Sequence, residues 1–208
     1  MSVVRYSNCF FLRIQTINDY RQFCTLYKKT KLINVIRSKS LHHKIKILAY
    51  NLNERVVELI VEASKEVIPQ YLSEINGSYS QIYSLRDGYV RSIFEKQYKH
   101  IRIQNKEDLI QLINGIHQQH TNNNLYEAIN NPNSYYEYQN QFKSGLINKG
   151  IKNHILCLLK ENTQGDSKFR YISDEALKNA NLTKNLVREV AETFNKYTDI
   201  LDSEYKLT

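Results

Sequence analysis

Apolar positions recur at helical spacing over most of the chain. The longest run lies within Ser40–Ile75, where Leu48, Leu52, Val56, Leu59, Ile60, Ala63, Val67 and Ile68 fall mostly three or four apart. This predicts one long helix that Pro69 bends or ends. On another face of that helix stand Glu54, Glu58, Glu62 and Glu66, each four apart. Like charges at this spacing destabilise a lone helix by about 0.2–0.5 kcal/mol per pair. The stripe therefore calls for a cationic neighbour.

Elsewhere the pattern is more broken. Ser2–Gln15 alternates, with Val4, Tyr6, Phe10, Leu12 and Ile14 apolar, which predicts a strand or an extended arm. Asn18 is placed to cap a helix running to about Arg37. Gly77–Ser78 breaks the chain, and Ser84–His100 reads as a further helix. Another begins at Asn105 or Lys106, with Leu109, Ile110, Leu112, Ile113 and Ile116 on its apolar side. Gln118–Gln141 is rich in Asn, Gln and Tyr and carries Pro132, so it reads as a boundary or long loop. Short helices are expected around Leu125–Ile129 and Tyr135–Leu146, and an amphipathic one over Ile151–Glu161.

The last segment has its own pattern. Ser173 is an N-cap candidate, followed by Asp174 and Glu175 in the first helical turn. Ala176 and Ala180 face one way, Asn181 sits at a break, and Leu182 plugs the corner. Thr183 then caps a second helix with Leu186, Val187, Val190, Ala191 and Phe194 inward. Lys168–Ile172 alternates like a short strand, and Leu201–Leu207 would supply the other arm of a hairpin.

The window from Ser173 resembles the helix-turn-helix family pattern, with Ala176, Ala180, Leu182, Val187 and Val190 at its apolar places. It departs at Leu177, where the family has a small residue, and at Asn181, where it has Gly. With its flanks, the segment from about residue 149 to 208 resembles a winged helix-turn-helix domain. The expected fold is thus mostly α: a helical bundle over residues 1–120, a polar linker over 121–148, and a winged helix-turn-helix with a short β-hairpin over 149–208. The resemblance implies DNA binding, with Thr183, Lys184, Asn185 and Arg188 facing the major groove and Arg170 and Lys206 adding backbone contacts.

Charge complicates that picture. Of the net +8, residues 1–50 carry +9, from ten Lys or Arg against Asp19 alone. Residues 151–208 hold nine of each sign and are neutral. The basic excess thus lies far from the helix-turn-helix, although phosphate neutralisation supplies most non-specific affinity for DNA. Lys28, Lys29 and Lys31, interleaved with Tyr and Phe, form a second candidate nucleic-acid surface or, alternatively, a solvated helix face. Pairing between the basic segment and the glutamate stripe would consume part of this charge internally.

Other chemistry is sparse. Cys9, Cys24 and Cys157 are isolated, which argues against a disulfide framework or a zinc site and favours a reducing, cytoplasmic setting. The acid-poor N-terminus also leaves an organelle transit segment open. No apolar run is long enough to span a bilayer. Glycine-rich phosphate loops, hydrolase elbows and His-Glu-x-x-His are absent, so neither cofactor nor metal is expected. His117 and His120 lie three apart without further ligands and read as surface or internally satisfied histidines. Arg37 and His42, with four residues between them, resemble the short Arg/His motif of HEPN-type helical ribonucleases. That resemblance implies phosphate contact by Arg37 and proton transfer by His42.

The leading expectation is a non-enzymatic DNA-binding regulator or a replication or plasmid-maintenance factor, dimeric through its helical part. The alternatives are a scaffold subunit that uses the winged helix for a protein partner, and the helical ribonuclease.

Overall fold

The structure is a computed structural model that describes residues 4–17, 23, 25–87, 92–118, 132–138 and 144–162. Its elements in order are β1 (Cys9–Gln15), α1 (Leu26–His42), β2 (Lys46–Leu52), β3 (Val56–Glu62), α2 (Ile68–Asp87), β4 (Lys99–Arg102), α3 (Lys106–Gln118), α4 (Ser134–Tyr138) and α5 (Lys149–Asn162). The four strands form one antiparallel sheet in the order β2-β3-β1-β4. The mostly α expectation is therefore corrected to a mixed α/β architecture. The segment from residue 163 to 208, including the whole helix-turn-helix reading, lies outside the described residues.

The long helix expected over Ser40–Ile75 is the end of α1, then β2, β3 and the start of α2. The physical reason is double burial. Every residue of β3 is buried, and all of β2 except Lys46. A strand covered on both faces reads as a near-continuous apolar run, from which helical spacing can be picked out. Asn53 supplies the turn: its Oδ1 accepts from the amides of Arg55 at 3.0 Å and Val56 at 2.7 Å. Pro69 opens α2 instead of closing a helix, as its fixed φ suits a first turn.

β1 is a strand, in keeping with its alternation. Phe10, Leu12 and Ile14 are buried, whereas Phe11, Arg13 and Gln15 are more exposed. α1 starts at Leu26, with Thr25 as its cap accepting from the Lys28 amide at 3.3 Å, and the expected cap Asn18 lies outside the described residues. α3 and α5 form close to where periodicity places them. Over Ser84–His100 the chain instead leaves α2 at Asp87 and becomes extended by Lys99.

α1 packs on α2, and α1, α3, α4 and α5 all touch β2. Residues from every one of these elements except β4 meet in one apolar core. Ser40 and Tyr71 hydroxyls lie 2.9 Å apart and tie α1 to α2. Phe23, Tyr79 and Phe94 pack as tilted rings with centroids 5.6–5.8 Å apart.

Candidate nucleic-acid interface

The two edges of the sheet are treated differently. At the β2 edge the backbone is occupied. The Leu52 amide donates to the Pro132 carbonyl at 3.1 Å, and the Tyr50 amide donates to Ser134 Oγ at 3.1 Å. The Tyr138 hydroxyl donates to the Leu48 carbonyl. Residues 132–138 thus cap this edge, and Ser134, Glu137 and Tyr138 make buried hydrogen bonds beneath it. Glu137 accepts from the Tyr50 hydroxyl at 3.0 Å and from Ser144. Burial pushes its carboxyl pKa above the ordinary range despite both hydrogen bonds. His117 is buried, and its Nε2 lies 2.8 Å from Ser134 Oγ, so it is an internal histidine and not a surface one. His120 lies outside the described residues.

At the opposite edge β4 is open. Lys99, His100, Ile101 and Arg102 are all exposed, and Ile101 keeps 56% of its surface. An exposed edge strand needs protection from pairing with other chains, and charged side chains provide it. Here the charges are also organised by register. Arg13 stands opposite Glu58 on β3 and Lys99 on β4, and Phe11 stands opposite Ile60 and Ile101. One sheet face therefore carries a polar row of Asn51, Glu58, Arg13 and Lys99, beside an apolar row of Ala49, Ile60, Phe11 and Ile101, buried at the β2–β3 end and exposed at Arg13, Lys99 and Ile101. On the other face, His100 and Arg102 stand opposite the buried Leu12 and Phe10. The Tyr98 ring lies 5.7 Å from that of His100, and Arg102 Nε donates to the Ser7 carbonyl at 3.2 Å. Exposed Arg5 and Lys96 add charge just outside the strands, against Glu95.

The glutamate stripe has a strand basis. Glu58 and Glu62 are four apart on β3 and so share one sheet face, as they would a helix face. Their cationic neighbours come from the basic first fifty residues. Arg13 Nη1 lies 3.7 Å from Glu58 Oε1, and Lys46 Nζ lies 3.0 Å from Glu62 Oε1. Asn51 Nδ2 also donates to Glu58 at 3.2 Å. Arg13 and Lys46, two of the ten basic residues of that segment, thus pair with the stripe.

The other expected site residues are scattered. Lys29 is 2% exposed and faces the interior, whereas Lys28 and Lys31 are half-buried. Lys31 Nζ lies 5.5 Å from the centroid of the Tyr27 ring. Arg37 donates to Asn34 Oδ1 at 3.1 Å and runs beside Gly145. His42 is exposed at the end of α1, about 140° around the helix from Arg37 by its spacing, so the ribonuclease pair does not converge. Thr183, Lys184, Asn185, Arg188, Arg170 and Lys206 lie outside the described residues. Sequence reading missed the β1–β4 face because its rows join residues nearly ninety positions apart.

No family model and no curated protein matches the chain. Solved structures do. One is a REP-associated tyrosine transposase bound to a REP hairpin, with a TM-score of 0.46 and 14% identity over 57% of this chain and 70% of that one. Another is described as a transposase from Deinococcus radiodurans R1, with a TM-score of 0.40 and 18% identity over 58% of this chain and 98% of that one. Both are sheet-containing proteins named as enzymes, and neither is a winged helix-turn-helix regulator. The expectations of winged-helix membership, of a non-enzymatic regulator and of major-groove reading are set aside: the described residues form a mixed α/β fold, and these neighbours carry other names. No described helix is long and apolar enough to cross a membrane.

Proposed function

We propose that the chain binds nucleic acid along the open β1–β4 edge of its sheet. The observation that carries this reading is the register that sets Arg13 beside Lys99 and the half-buried Phe11 beside Ile101 on one sheet face, where Arg13, Lys99 and Ile101 are exposed. Guanidinium and ammonium groups suit phosphates, and flat or apolar side chains between them suit unstacked bases. An extended strand surface of this kind accommodates a single strand or a loop better than it reads a duplex groove. A DNA hairpin with an unpaired tail offers both a loop and a single strand, which makes it the first ligand to test.

Photo-crosslinking with a bromouracil-substituted hairpin, mapped by peptide mass, tests the location. Adducts are expected within residues 5–15 and 95–102. Adducts confined to other segments would refute the assignment.

A further inference from the structure

α1 ends on two adjacent histidines, and α2 brings a carboxylate to them. His42, His43 and Glu74 each offer a ligating atom, and these atoms lie within 4.8 Å of one another. His43 Nε2 is 3.1 Å from Glu74 Oε2. Two ligands on a tetrahedral metal with bonds of about 2.0–2.1 Å stand about 3.3–3.4 Å apart. One pair is therefore near ligand spacing already.

The pair is also built to stay there. The His43 side chain is only 8% exposed, and its Nε2 makes no aligned hydrogen bond. Its ring meets Tyr71 edge-on at 6.1 Å, and Tyr71 is held by Ser40. Gln70 Nε2 donates to Glu74 Oε1 at 3.1 Å, which orients the carboxylate from α2. His42 stacks edge-to-face on His43 at 4.8 Å and is exposed, free to turn as a third ligand. The site lies at the C-terminus of α1, where the helix dipole favours a cation.

We propose that His42, His43 and Glu74 bind a late first-row transition-metal dication of the zinc or nickel kind, clamping the end of α1 to α2. Two imidazoles and one carboxylate suit such ions and leave a coordination position open to water. Lys39 is the competitor. Its Nζ lies 3.4 Å from Glu74 Oε2 and has to swing away when the ion enters.

The test uses full-length protein with cobalt(II) as the probe and zinc(II) as the displacing ion. One equivalent of cobalt should give a visible d–d band that zinc removes. His42→Ala and Glu74→Gln should each weaken binding by at least about tenfold. Lys39→Met should strengthen it, an effect that a purely structural ion pair does not predict. His42 is exposed, so its replacement leaves the fold intact, which far-UV circular dichroism checks. Absence of the band, or unchanged affinity in both His42→Ala and Glu74→Gln, would overturn the assignment.

Discussion

Arg13 and Lys99 stand directly opposite each other in the β1–β4 ladder, two cations on one face of the sheet. Like charges so placed are destabilising. Glu58 offsets part of this from the far side of Arg13, 3.7 Å away. The remaining repulsion is relieved by an anion, and a phosphate bridging the two side chains is the anion proposed. Lys99→Thr should therefore leave thermal stability unchanged or raised, within about 0.5 kcal/mol. The same variant should bind single-stranded DNA more weakly. A fall in melting temperature with unchanged binding would show that Lys99 serves the fold alone.

Glu137 makes stability depend on acidity in the unusual direction. Its folded pKa is raised, so the native state holds a proton that the unfolded chain has released. Its contribution is complete below the ordinary carboxylate pKa and is lost as pH rises through the higher folded value. Glu137→Gln keeps an oxygen to accept from Tyr50 and Ser144 without a buried charge. This variant should flatten that part of the pH–stability curve and be relatively more stable at neutral pH. Chemical denaturation at several pH values from mildly acidic to neutral measures it, and parallel curves for the two proteins would contradict it.

The Lys46–Glu62 pair should behave as a half-buried ion pair. Glu62 is 9% exposed, and its Oε2 makes no hydrogen bond, so Lys46 is its main compensation. Lys46→Met should cost about 1–3 kcal/mol, the desolvation penalty of an uncompensated polar group. Adding Glu62→Met should recover most of this, since an apolar pair can replace a buried ionic one. A double-mutant cycle by urea denaturation reports the coupling.

The cysteines should divide by burial. Cys9 is buried in β1, and its thiol is pushed up to about 12, chiefly by burial and then by Glu62. Cys157 is exposed on α5. Iodoacetamide at neutral pH should modify Cys157 in the native protein and reach Cys9 only on unfolding, as peptide mapping would show. Rapid native labelling of Cys9 would mean that β1 opens readily.

What could be read from the chain depended on how many faces an element buries. β1, with one face more exposed, shows its alternation openly, and α3 and α5 show a clean apolar stripe. β2 and β3 are covered on both faces, and their apolar runs carry no decisive period. The clue against a helix was the β-branched cluster Val56, Val57, Ile60 and Val61. The demand for a cationic partner to the glutamates needed no secondary structure, because a spacing of four is even and close to 3.6. It therefore pointed to the basic first fifty residues, where Arg13 and Lys46 supply the pairing, although the helix did not exist. The open face stayed invisible because β4 has no buried residue to mark it, and its partners lie near the other end of the chain.

The decisive measurement is the salt dependence of DNA binding by the intact chain and by Arg13→Gln/Lys99→Ala, which removes both cations of the shared face. Fluorescence anisotropy with a tailed hairpin between about 50 and 200 mM salt covers the range over which phosphate neutralisation is read out. The double variant should bind at least about tenfold more weakly. Its logarithmic salt slope should fall by about 0.7 for each single-strand phosphate that the variant no longer neutralises. Equal affinity and equal slope in a folded double variant would contradict the β1–β4 interface.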